Sequence, residues 1–95
     1  MSDKYAVGSQ VFKALSNPKR AIIVDMLSGG ELCASRILEK FDLSQSTLSH
    51  HMKSLCESGL VKAREDGKWT HYTLNSETVA KTRSIFNEIT ALAEA

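Results

Sequence analysis

At Gly59 the spacing of apolar residues changes from helical to alternating, and this change decides what the chain can fold into. Before it, apolar side chains recur three and four residues apart, the period of helices with one buried side. After it, Val61 and Ala63, then Tyr72 and Leu74, fall on one side of an extended ribbon, while Lys62, Arg64 and Thr73 fall on the other. Between the arms lies Asp66-Gly67, a pair that suits a type I′ hairpin turn. Strand preference is strongest over Trp69–Leu74, rich in aromatic and β-branched residues. The chain is therefore predicted to be mainly α with a β-hairpin, in the order α-α-α-α-β-β-α.

The helical half divides at recognisable punctuation. A first helix over Asp3–Leu15 carries the stripe Val7, Val11, Phe12 and Leu15. Asn17 caps a second helix that starts at Pro18, where the missing N–H costs nothing, and Ser28-Gly29-Gly30 ends it. Apolar residues around most of its circumference, among them Ile22, Ile23, Met26 and Leu27, predict a buried central helix. A short third helix near residues 33–41 places Ala34, Ile37, Leu38 and Phe41 on one side. Asp42-Leu43 then breaks the chain. Ser44 caps the fourth helix, with Leu43 positioned to staple onto Leu48. That helix buries Leu48, Met52 and Leu55 and stops at Gly59. A last helix near residues 76–93 has Val79, Phe86, Ile89 and Leu92 as its apolar side.

Two short helices joined by a tight break, the second polar and exposed, make a helix-turn-helix, here about residues 33–58. Its second helix is the element that enters the major groove of DNA. Between residues 43 and 56 there is no Asp or Glu, as a surface approaching phosphates requires. The candidate DNA contacts on this helix are Ser44, Gln45, Ser46, Thr47, Ser49, His50 and Lys53. Gln45 can pair with adenine through two hydrogen bonds, hydroxyls can reach bases or phosphates, and Lys53 is placed for the backbone. The hairpin, about residues 60–74, reads as a wing whose Arg64 and Lys68 flank its tip. The fold class is then a winged helix-turn-helix.

Ninety-five residues allow one domain, and 42% apolar with 24% charged residues is the balance of a globular chain. No apolar run reaches the roughly 20 residues that span a bilayer. Met1-Ser2-Asp3-Lys4 lacks the apolar segment of a secretory signal, and two cysteines do not make a disulfide scaffold, so a cytoplasmic protein with no membrane partner is expected. No glycine loop cradles a phosphate and no spacing points to an activated nucleophile, so no enzyme is expected.

The runs Glu31-Leu32-Cys33-Ala34-Ser35, Leu43-Ser44-Gln45-Ser46-Thr47-Leu48-Ser49-His50-His51-Met52-Lys53, Gly59-Leu60-Val61 and Asp66-Gly67-Lys68-Trp69-Thr70-His71-Tyr72-Thr73-Leu74 resemble the ArsR/SmtB family of metal- and metalloid-responsive repressors. The resemblance covers nearly the whole chain. It implies a homodimer built by the first and last helices, about residues 3–15 and 76–93, with two recognition helices on palindromic operator DNA. It also implies release from double-stranded operator DNA when an inducer binds. Two competing readings differ in chemistry: a winged-helix interaction module that no longer binds DNA, and a constitutive or redox-responsive regulator without a metal site.

The inducer is the open part of that resemblance. Family members that sense soft ions carry Glu-Leu-Cys-x-Cys; this chain keeps Cys33 but has Ser35 at the second thiolate position. The paired cysteines of another subgroup fall here on Ser54 and Ser58, and the zinc-type pattern needs histidines that residues 77–95 lack. Cys33, near a helix start that favours a thiolate, is the one candidate metal ligand; arsenite, antimonite or another thiophilic ion is the candidate inducer. Cys56 reads as buried packing, and a two-thiolate site with Cys33 is the alternative. Of the histidines, His50 reads as a DNA contact, His51 as partly packed and His71 as a surface residue. Trp69 reads as wing packing.

Overall fold

The computed structural model describes residues 3–94 and orders them as α1 (Asp3–Leu15), α2 (Pro18–Leu27), β1 (Leu32–Cys33), α3 (Ala34–Lys40), α4 (Gln45–Glu57), β2 (Val61–Asp66), β3 (Trp69–Leu74), α5 (Ser76–Ile89) and a 3₁₀ turn, Ala91–Glu94. The expected single domain also included Met1, Ser2 and Ala95, which lie outside the described residues. Among those described, no helix is long and apolar enough to cross a membrane.

The helix starts follow their capping residues. Asn17 Oδ1 accepts from Lys19 N at 2.9 Å, and Pro18 opens α2. Ser44 Oγ accepts from Thr47 N at 3.1 Å and sets the first turn of α4. Asn75 Oδ1 does the same for α5 through Glu77 N and Thr78 N. Each cap satisfies donors that the first turn of a helix cannot pair internally.

One core joins these elements. Val11 and Ala14 of α1, Ile23 and Leu27 of α2, Ile37 of α3, and Leu48, Met52 and Leu55 of α4 are buried together with Leu60 and Val61. Each large aliphatic side chain there contributes about 1.5–3 kcal/mol. The i, i+4, i+7 spacing of Leu48, Met52 and Leu55 presses one side of α4 into this core and turns the opposite side outward.

The strands form an antiparallel sheet of order β1-β3-β2. Leu32 pairs with Tyr72, and Cys33 with His71; across the other ladder Ala63 faces Tyr72 and Arg64 faces His71. Opposed residues point to the same side, so Leu32, Tyr72 and Ala63 share one side of the sheet and Cys33, His71 and Arg64 the other. The short β1 was not expected from the sequence, because two residues give no alternation to read.

Several expectations need correction. Asp66 pairs with Trp69, which makes Gly67-Lys68 the two-residue loop rather than Asp66-Gly67. Of the two loop residues only Gly67 has positive φ, at 65°, the pattern of a type II′ turn with glycine first and not of type I′. Trp69 is 54% exposed and does not pack the wing. Helix α2 is amphipathic and not buried all round: Ile23 and Leu27 are buried, whereas Ile22 is 45% exposed. Helix α5 ends at Ile89, where the Thr90 hydroxyl donates to Phe86 O at 2.6 Å, and only the 3₁₀ turn continues towards residue 93. On α5 it is Ile85 that is buried, while Phe86 and Ile89, and Leu92 in the 3₁₀ turn, are exposed. Ile85 seats against Gly8 of α1, where a β-carbon would stand 3.1 Å from Ile85 Cγ2. Phe12 meets Phe86 edge-on at 6.2 Å, and Lys4 pairs with Glu88 across the same two helices.

Candidate nucleic-acid interface

The polar residues of α4 divide into a group that builds the helix start and a group that is open. Ser44 Oγ, while accepting from Thr47 N, donates to Thr47 Oγ1 at 2.8 Å and lies 3.3 Å from Ser46 Oγ. Three hydroxyls are thus gathered at the N-terminus, with Thr47 half-buried and Ser44 and Ser46 exposed. Gln45, Ser49, His50 and Lys53 are exposed, and among the described residues the side chains of Gln45, Ser49 and Lys53 have no hydrogen-bond or ion-pair partner. Ser49, Lys53 and His50 turn progressively away from the buried Leu48, Met52 and Leu55, while Gln45, on the line of Leu48 and Met52, is exposed because it opens the helix. The only acid on the exposed side of α4 is Glu57 in the last turn, and the unpaired polar groups before it are open to an external partner.

His51 lies on the other side of the boundary. It is 6% exposed, so the expected partial packing becomes full burial. Its Nδ1 accepts from Arg20 Nε at 3.1 Å. Burial holds the imidazole below its ordinary pKa, and the positive charge of Arg20, then His50 and Lys19, adds to the effect. The ring is neutral, with its proton on Nε2.

On the hairpin, residues 62–69 are exposed, including Arg64 and Lys68. Arg64 is not idle: its Nη2 donates to Glu31 Oε1 at 2.8 Å, and its Nη1 stands 3.8 Å from Asp66 Oδ2. Arg64 in turn holds the Glu31 carboxyl below the usual carboxylate range. His71 Nδ1 is 3.8 Å from the same Glu31 oxygen. Lys68, at the turn itself, has no such partner among the described residues. The sequence reading missed the parts played by Arg20 and Glu31. Their partners are 31 and 33 residues away, and no local spacing encodes contacts at that separation.

The thiols occupy different surroundings. Cys33 is the residue before α3, half-buried, with Sγ 3.1 Å from Ser35 Oγ. The Ser35 hydroxyl, helped by the backbone N–H of Arg36, pulls the thiol below its ordinary range. Cys56, also half-buried, is pushed up by burial. Among the described residues no three His, Cys, Asp or Glu side chains gather as a metal site would require.

Residues 17–63 match the family described as bacterial regulatory protein, arsR family. An arsenical resistance operon repressor of Staphylococcus xylosus is 54% identical over 73% of this chain, which spans 66% of that relative, just under two thirds of its length. The arsenical resistance operon repressor of Escherichia coli K12 is 41% identical, over 83% of this chain and 68% of the relative. Among solved structures, an ArsR-like transcriptional regulator from Rhodococcus sp. RHA1 superposes with a TM-score of 0.85 at 26% identity, covering 98% of this chain and 88% of that one. The chain belongs to the arsR family of bacterial regulatory proteins.

Proposed function

We propose that this protein is a transcriptional repressor that binds double-stranded operator DNA as a homodimer, with α4 in the major groove and the β2–β3 wing on the neighbouring backbone. The observation that carries the reading is the outward side of α4, free of acids until Glu57 in its last turn, on which Gln45, Ser49, His50 and Lys53 stand exposed above a buried apolar side. Gln45 and Ser49 are assigned to base edges, and His50 and Lys53 to the groove and its phosphates. Ser44 and Thr47, whose hydroxyls bond each other, contribute chiefly by fixing the helix start, and Ser46 lies at its mouth. Arg64 and Lys68 are the wing contacts, Lys68 the freer of the two. The regulatory names of the relatives favour this reading over a winged module without DNA and over an enzyme. Reduced thiols at Cys33 and Cys56 fit work in the cytoplasm.

The relatives named for arsenical resistance make a thiophilic ion the first inducer class to consider. Cys33, with its lowered pKa, is the side chain suited to it. One thiol beside a serine hydroxyl does not make a closed soft-ion site. A thiol-reactive signal at Cys33 is the second inducer class, supported by the same lowered pKa.

The test is equilibrium binding to promoter and scrambled duplexes across a salt series. Log affinity should fall linearly with log salt, by close to one unit of slope per phosphate neutralised. Gln45→Ala should cost about 1–3 kcal/mol on the promoter and blur its preference, whereas Lys53→Ala should weaken both duplexes alike and lower the slope by about 1. Salt-insensitive binding, or no binding, would overturn the reading.

A further inference from the structure

Arg20 sits near the start of α2, half-buried, with Nε committed to His51 Nδ1. This bond fixes the plane of the guanidinium. Among the described residues its two terminal nitrogens have neither a hydrogen-bond acceptor nor a carboxylate in ion-pair range. An arginine held at Nε and open at both Nη atoms presents a flat two-pronged donor whose shape matches two oxygens of a phosphate. Such an arrangement has already lost most of the side-chain freedom that binding would otherwise remove.

The surroundings place this donor beside the recognition surface. Arg20 lines a polar groove of about 300 Å³ together with Lys13, Ser54 and Glu57. On the α4 side the groove is lined by Ser54, Glu57 and Ser58 at the end of the helix, and the exposed His50 stands one turn before Ser54. The charged and titratable groups felt by the buried His51 ring are Arg20, His50 and Lys19. All three carry or can take positive charge. Positively charged side chains therefore continue from α4 onto the first turn of α2, with Lys13 and Arg20 set against the one carboxylate of the groove, Glu57.

We infer that Arg20, oriented by His51, is a phosphate contact that extends the DNA footprint from α4 onto the first turn of α2. His51 is then a positioning residue and touches no DNA itself. The inference rests on the reading that α4 faces duplex DNA. Phosphate contacts of this kind set the register of a recognition helix without reading sequence.

The experiment compares wild type, Arg20→Gln, Arg20→Lys and His51→Asn on promoter and scrambled duplexes across a salt series, with circular dichroism to confirm folding. Arg20→Gln should lower the salt slope by about 1 and weaken both duplexes by the same factor. Arg20→Lys should keep the slope. His51→Asn, whose amide oxygen can replace Nδ1 as acceptor, should bind nearly as wild type. In the wild-type protein, the side-chain N–H resonances of Arg20 should shift when duplex is added, a readout that needs no variant. A folded Arg20→Gln with the wild-type slope, or Arg20 resonances that stay still, overturns the inference while leaving the α4 reading intact, provided Lys53→Ala still lowers the slope. Wild type without salt-dependent duplex binding overturns both.

Discussion

Neighbouring histidines on α4 end in opposite surroundings. His50 is exposed at the border of the polar side, and His51 is buried against α2. The depressed pKa of His51 has a consequence for stability with a definite sign. The unfolded chain takes up a proton on this ring near pH 6.5, and the folded chain resists until lower pH. Stability is therefore unaffected by this group above about pH 6.5 and falls as pH drops below it, until the folded state is protonated too. Denaturant midpoints measured from about pH 8 down to 5 should show this loss, and His51→Asn should flatten it. A slope unchanged by the substitution would remove His51 as its source. At this scale the sequence disclosed much about side chains on regular elements: helical spacing separates Ser49, His50 and Lys53 from Leu48, Met52 and Leu55, and the cap at Ser44 leaves Gln45 exposed at the helix start. It was silent on Arg20 with His51 and Arg64 with Glu31, because both pairs are made by folding and not by neighbourhood.

Elements were legible where a cap or a break marks them. Asn17-Pro18, Ser44 and Asn75 begin helices as a cap requires, and the cap at Ser44 matters most because it aims the N-terminus of α4. Ser44→Ala should cost about 1 kcal/mol of folding stability, read by chemical denaturation, while Ser44→Asp should recover most of it. An alanine variant as stable as wild type would show that the hydroxyl cluster at the helix start does not hold it. The elements that misled the reading did so for physical reasons. Asp66-Gly67 has the composition of a type I′ turn, but the ladder runs one residue further, and glycine's freedom is used at the first loop position. The exposed Trp69 follows from the same register, which sets it opposite Asp66 at the end of the wing. Of the stripe that looks like core, Val79 packs on the core as expected, whereas Phe86 and Ile89 of α5 and Leu92 beyond it face outward, because Ile85 takes the seat against Gly8 of α1.

That outward stripe belongs to the whole molecule. Tyr5 and Val7 of α1, Phe86 and Ile89 of α5, and the 91% exposed Leu92 that follows leave large apolar side chains in water along the two terminal helices. Exposed apolar side chains on this scale mark an interface, and these helices are the ones to which the homodimer reading assigns it. Wild type should sediment as a dimer with a melting temperature that rises with protein concentration, and Ile89→Glu should yield a folded monomer. A wild-type monomer at all concentrations would refute the pairing. The claim on which everything else depends is that α4 reads DNA from the major groove, once per subunit. Base-resolved chemical protection of a duplex selected by the protein from random sequence tests it most directly. Two blocks of major-groove protection are expected on one face of the duplex, about 34 Å apart, with Gln45→Ala losing the same bases in each block. Protection confined to the minor groove, or unaltered by changes on α4, would contradict it.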